Sequence, residues 1–130
     1  MKLIIGGYAQ GKLNYVLQKY CLVDEDRSAI YESIIPENTE KQGKTIVINH
    51  FHKWVKDRLA EGGCPEKEIL LFLEKCPECV IISDEIGNGI VPIDAFEREY
   101  RERTGRILVE LAGRAEEVER VICGIGQKIK

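Results

Sequence analysis

The 130-residue chain has no apolar run near the roughly 18 residues that a membrane span requires, so no membrane partner is expected. Its start, Met1-Lys2-Leu3-Ile4-Ile5-Gly6, breaks at glycine too early to read as a signal peptide, and a cytoplasmic location is expected. Excess basic charge is missing too. The 19 Lys and Arg stand against 22 Asp and Glu, a net charge of −3, which speaks against nucleic acid as a partner. Histidine is scarce, with only His50 and His52 in the chain. Repeats, linkers and low-complexity tracts are absent, and the length suits one domain over residues 1–130. Hydrophobic residues at 44% supply a core and exclude a disordered chain.

A disulfide framework is not expected either. The five cysteines, Cys21, Cys64, Cys76, Cys79 and Cys123, are an odd number, and thiols in the cytoplasm stay reduced. Cys76-Pro77-Glu78-Cys79 has the spacing of zinc and redox sites. A structural zinc site needs a second such pair or two well-spaced histidines. With one pair, buried or surface thiols are expected and no metal site is assigned.

What is present is an alternation of strands and helices. Lys2 to Ile5, Thr45 to Ile48 and Val80 to Ser83 are short apolar runs that read as buried strands. Helical spacing of apolar residues marks Gly11–Tyr20, His50–Ala60, Glu66–Lys75 and Asp94–Arg114. In the last of these the expected buried stripe is Phe96, Tyr100, Ile107, Leu111 and Ala115. Val118–Cys123 reads as a further strand, and Gly124-Ile125-Gly126 turns it into a terminal hairpin at Gln127–Ile129. Asp24 to Lys44 is polar and reads as a loop with one short element. The fold class is α/β, with a mostly parallel sheet and helices on both faces.

The first strand-to-helix junction, Gly6-Gly7-Tyr8-Ala9-Gln10-Gly11-Lys12, has the spacing of a phosphate loop. Glycines let backbone N–H groups wrap a phosphate, the helix N-terminus adds positive potential, and the lysine neutralises charge. The position after the lysine normally carries the hydroxyl that ligates Mg²⁺, and here it is Leu13. Asn14 falls one residue late and would point elsewhere on the helix. Such a loop would hold phosphates with its usual metal site damaged.

Three C-terminal segments sharpen this reading. They are Asp84-Glu85-Ile86-Gly87-Asn88-Gly89-Ile90-Val91-Pro92, then Tyr100-Arg101 with Gly105-Arg106, then Gly124-Ile125-Gly126-Gln127-Lys128-Ile129-Lys130. With the glycine loop they resemble the adenosylcobinamide kinase / adenosylcobinamide-phosphate guanylyltransferase family of cobalamin biosynthesis, over residues 1–20 and about 44–130. The resemblance implies a P-loop (RecA-like) three-layer fold with a C-terminal β-hairpin. It also implies phosphorylation of the aminopropanol hydroxyl of cobinamide by GTP or ATP, and GMP transfer through a histidine. It implies a corrinoid partner and a homo-oligomer, typically a trimer. Carried over by position, Gly6, Gly7, Gly11 and Lys12 match the phosphate loop. Glu85, Gly87, Gly89 and Pro92 match a nucleotide-side loop, and Trp54 matches a tryptophan after the second core strand.

Other family positions have changed. The Mg²⁺-ligating Ser or Thr is Leu13, the strand-end aspartate is Asn49, and an asparagine after Gly105-Arg106 is Leu108. The region of the GMP-carrying histidine, Cys21 to Lys44, contains no histidine. Guanylyl transfer is expected to be lost. Removing hydroxyl and carboxylate ligands together would slow the kinase step on the order of 10³-fold or more. The alternative is a non-catalytic binding or regulatory protein on the same fold. His50 and His52 would share a face on a strand end and could bind a metal there with Asp84. His50 could also contact a phosphate or the corrinoid, or both could be polar residues at a helix start. Glu85 is expected to hold a metal or a ribose in place of the lost groups.

Overall fold

Leu3-Ile4, Ile46-Val47-Ile48 and Val80-Ile81-Ile82 are apolar at consecutive positions, the pattern of strands covered on both faces. The computed structural model, which describes residues 1–37, 43–87, 90 and 93–130, places all three in one sheet. In chain order the elements are β1 (Lys2–Gly6), α1 (Lys12–Lys19), β2 (Ser28–Glu32), β3 (Thr45–Asn49), α2 (Phe51–Ala60), α3 (Pro65–Lys75), β4 (Cys79–Asp84), α4 (Ala95–Arg114), β5 (Glu117–Ile122) and β6 (Ile125–Lys128). Among the described residues the sheet has six strands in the order β2-β3-β4-β1-β5-β6. β1 to β5 pair in parallel, and β6 returns antiparallel to β5. The mixed α/β arrangement with a C-terminal hairpin is the one expected of a P-loop-like fold.

Adjacent residues of each core strand enter different layers. Leu3, Ile46, Ile48, Ile81 and Val118 pack beneath Phe51 and Val55 of α2, Ile69 and Phe72 of α3, and Ile107 and Leu111 of α4. Ile4, Val47, Val80, Ile82 and Val121 pack against Val16 of α1. Burying one such side chain is worth about 2 kcal/mol, so a one-residue slip of any central strand would exchange two cores at once.

This register has a consequence for chemistry. Gly6 is level with Asp84, and Glu32 with Asn49. The four are the last residues of β1, β4, β2 and β3. These four parallel strands therefore end at the same edge, where open α/β sheets bind ligands.

Two elements differ from expectation. The short element in Asp24–Lys44 is β2, an edge strand of the sheet paired with β3. It has a neighbour on one side only, and Ser28 is its only fully buried residue, so the apolar signal of a core strand is missing. In α4 the buried residues are Tyr100, Thr104, Ile107 and Leu111. Phe96 is half-buried, and Ala115, although buried, is the C-cap. Thr104 is 0% exposed, and its Oγ1 has no hydrogen-bond partner among the described residues.

The polar end of α1 is clamped to β5. Tyr15 donates to Glu119 at 2.9 Å, Tyr20 donates to Glu117 at 3.0 Å, and Lys19 pairs with Glu119. Burial and the bond to Glu117 push the Tyr20 hydroxyl up to about 12. Burial lowers Lys19, but the hydrogen bond to Glu119 outweighs it and leaves the ammonium at about 12.

Two predictions follow from these contacts. Tyr20 and Lys19 keep in the fold protons that the unfolded chain releases near 10.0 and 10.5. Their contribution is complete below pH 10 and is lost as pH rises toward 12. Alkaline unfolding followed by circular dichroism should show this decline, and Tyr20→Phe should flatten it. Thr104→Val removes a buried hydroxyl without a partner and should raise the unfolding free energy in urea by about 1 kcal/mol.

Candidate functional site

Gly6 ends β1 where backbone meets backbone. A Cβ there would lie 2.5 Å from the Val121 carbonyl oxygen and 3.3 Å from Lys12 Cδ, so no other residue fits. The loop then turns through Gly11, which caps α1 at φ 78°, a conformation that glycine adopts without strain. Gln10 anchors the loop to the hairpin turn. Its Oε1 accepts from Cys123 N–H at 2.7 Å, and its backbone oxygen accepts from Gly124 N–H at 2.8 Å.

Lys12 is 7% exposed, and a buried ammonium needs partners. Its Nζ donates to the Gly7 carbonyl at 2.6 Å and to Asp84 Oδ1 at 2.7 Å. The ammonium thus folds back over its own loop and joins α1 to the end of β4.

Asp84 is held in turn by His52. The Asp84 N–H donates to His52 Nδ1 at 3.1 Å, and His52 Nε2 lies 3.4 Å from Asp84 Oδ2. Burial pushes the His52 imidazole down to about 4 against the opposing pull of Asp84, so the ring is neutral at pH 7. Because Nδ1 accepts, the single ring proton sits on Nε2, on the carboxylate side.

A second polar set closes the opposite wall. Glu32 Oε1 accepts from Asn49 Nδ2 at 2.7 Å, and Glu32 Oε2 lies 2.7 Å from His50 Nδ1. Burial raises the Glu32 carboxyl, but the bonds from Asn49 and His50 outweigh it and hold the group below its ordinary range. His50 and His52 stand edge to face with centroids 5.8 Å apart. Together the loop 8–14, Glu32, Asn49, His50 and Asp84 enclose a cleft of about 450 Å³.

The structure sorts the sequence candidates. Gly6, Gly7, Gly11 and Lys12 build one continuous turn into α1. Glu85 is turned away from Lys12 and pairs with Arg120 of β5 at 2.8 and 3.0 Å. Gly87 stands at φ 99° with open space around it. Gly89 and Pro92 lie outside the described residues. Trp54 stacks on Phe51 at 5.4 Å in the core. Leu13 packs into the apolar layer under α1 and also borders the cleft. Asn14, expected to point elsewhere, borders the cleft as well, since both lie in the first turn of the helix.

His52 reaches Asp84 while His50 reaches Glu32, so the two rings do not converge on one ion. Among the described residues no group of three or more His, Cys, Asp or Glu is placed to hold a metal ion. Cys76 and Cys79 are buried and are not joined in a disulfide. Sequence reasoning missed Glu32, whose one signal is the carboxylate that ends Ser28-Ala29-Ile30-Tyr31-Glu32. The carboxylate beside Lys12 is Asp84, while Glu85 pairs with Arg120.

Breaking the Lys12–Asp84 pair should be costly, because the ammonium stays buried. Asp84→Asn is expected to lower the unfolding free energy by about 3–5 kcal/mol. An unchanged urea midpoint would show that the pair contributes nothing.

Comparison with known proteins places the chain in a family. The family described as "Cobinamide kinase / cobinamide phosphate guanyltransferase" matches residues 18–129, a span that begins within α1 and includes Glu32, Asn49, His50 and Asp84. The bifunctional adenosylcobalamin biosynthesis protein CobU of Salmonella typhimurium is 39% identical over 69 residues, 50% of this chain and 38% of that protein. Its Escherichia coli counterpart is 38% identical over 65 residues, 49% of this chain and 36% of that protein. The alignments thus cover less than two-fifths of each relative. By the extent of the family match, the chain belongs to the cobinamide kinase / cobinamide phosphate guanyltransferase family.

Proposed function

We propose that the cleft binds a nucleoside triphosphate, GTP or ATP, and that the chain transfers its terminal phosphoryl group to the aminopropanol hydroxyl of cobinamide. The observation that carries this reading is Lys12, buried at the mouth of α1 and held between Gly7 and Asp84. An incoming phosphate offers the ammonium a stronger partner than the Gly7 carbonyl, and the loop amides and the N-terminus of α1 add donors and positive potential. Gly6 keeps the loop against β5, so the cradle is in place before ligand arrives.

The family's reaction uses Mg²⁺, and the donors of the cleft fit a reduced form of that site. Leu13 supplies no oxygen, and Asn49 gives its amide to Glu32. Asp84 remains as the carboxylate beside Lys12. Mg²⁺ at phosphoryl-transfer sites needs one or two carboxylates, with substrate phosphates and water filling the other positions. Asp84 would hold it, and the ion would neutralise charge on the phosphates. His52, neutral, accepts the Asp84 N–H at Nδ1 and sets Nε2 3.4 Å from Oδ2, which holds Asp84 in place. GMP transfer by the family's histidine route is absent from this reading, because Cys21 to Lys44 holds no histidine.

The substitutions at Leu13 and Asn49 favour a second reading, a phosphate cradle that binds nucleotide without turning it over. Calorimetric titration with GTP and with ATP, each with and without Mg²⁺, separates the two. Mg²⁺-dependent binding followed by cobinamide phosphorylation is expected. Binding indifferent to Mg²⁺ without turnover would support the second reading, and no binding would overturn both. Lys12→Ala should weaken nucleotide binding at least about tenfold, the loss of one charge-assisted contact.

A further inference from the structure

We propose that His50, oriented by Glu32, is the general base of the cleft and takes the proton from the hydroxyl that attacks the terminal phosphorus. This deepens the phosphoryl-transfer reading above and rests on it.

The first observation is conformational. His50 is the N-cap of α2, yet its φ is 53° and its side chain makes no cap to the helix. Ser, Thr, Asp or Asn would cap that end, and Gly or Asn would tolerate the left-handed backbone. Histidine adopts that backbone more readily than most residues, and without a capping bond its ring is left for other partners.

The second observation is what the ring does instead. Nδ1 lies 2.7 Å from Glu32 Oε2, and the other Glu32 oxygen accepts from Asn49 at 2.7 Å. A carboxylate bonded at both oxygens stays ionised, so the ring proton belongs on Nδ1. Nε2 then carries the lone pair, on the far side of the ring, in a residue that lines the cleft. A base fixed by a third group is the recurring arrangement of histidine catalysis. The ring is reachable, with its side chain 38% exposed, whereas that of His52 is 8% exposed and occupied by Asp84.

The third observation is placement. Glu32 and Asn49 end neighbouring strands, and His50 follows Asn49. The dyad therefore sits on the same sheet edge as Gly6 and Asp84, across the cleft from Lys12. An acceptor hydroxyl that approaches phosphates held by Lys12 enters the space that His50 borders. The charged and titratable groups around the ring are Glu32 from β2, His52 and Lys53 from α2, Lys12 from α1 and Asp84 from β4.

The step balances without a further reactant. The hydroxyl oxygen forms its bond to the γ-phosphorus as its proton passes to His50 Nε2. The bond from that phosphorus to the bridging oxygen breaks, and the nucleoside diphosphate leaves with the electron pair. The imidazolium, paired with Glu32, returns its proton to water.

The test compares wild type, His50→Gln and Glu32→Gln, reading nucleotide Kd by calorimetry and cobinamide phosphorylation against pH. His50→Gln should keep the nucleotide Kd within about threefold while lowering kcat by about 10²–10⁴ and removing the acid limb of the pH profile. Glu32→Gln should lower kcat while keeping the nucleotide Kd, because the ring loses the carboxylate that orients it. Unchanged kcat and acid limb in His50→Gln would overturn the proposal, as would loss of nucleotide binding in that variant. A phosphoryl or nucleotidyl group found on His50 by mass spectrometry would overturn it too, making the residue a nucleophile. A wild-type protein that binds nucleotide with Mg²⁺ but leaves cobinamide unphosphorylated would remove the base's task while the binding site stands. A wild-type protein that binds no nucleotide would remove the site itself.

Discussion

The buried ammonium of Lys12 ties together one wall of the candidate site. It connects the loop after β1, through Gly7, to the end of β4, through Asp84. His52 then joins that carboxylate to α2. A charge taken this far from water is tolerated only with close partners, so the three elements must meet at their ends or the fold carries a large desolvation cost. The glycine at position 6 serves the same constraint, because any side chain there would strike the Val121 carbonyl and lift the loop from the sheet.

The other wall of the cleft follows from strand register. β2 is a weak edge strand by its apolar content, with Ile30 40% exposed. Its pairing with β3 nonetheless sets Glu32 level with Asn49 and one residue from His50. The three form a chain of hydrogen bonds in which the amide of Asn49 fixes the carboxylate and the carboxylate fixes the ring. The two walls use carboxylates differently. Asp84 balances a permanent charge, while Glu32 orients the ring of His50.

The chain belongs to the cobinamide kinase / cobinamide phosphate guanyltransferase family. Leu13 borders the cleft without offering an oxygen, and Asn49 gives its amide to Glu32. The structure brings Asp84 next to Lys12 and leaves Glu85 in a surface pair with Arg120.

Most of the architecture was legible in the chain. Consecutive apolar residues at Leu3-Ile4, Ile46-Val47-Ile48 and Val80-Ile81-Ile82 dictate strands buried on both faces. The glycine spacing before Lys12 dictates a tight turn into a helix. These are local signals, governed by backbone freedom and by side-chain periodicity over a few residues. β2 was illegible because one neighbouring strand, rather than its own composition, stabilises it. Thr104 was missed because a polar residue gave no apolar mark at a position that the turn of α4 buries. The partners of Lys12, His50 and His52 were beyond reach for a further reason. Asp84 lies 32 residues from His52, and Glu32 lies 18 from His50. The sequence by itself determined the elements and the glycine loop. Only the tertiary structure decided which carboxylate meets which base, because parallel pairing brings distant strand ends to one edge.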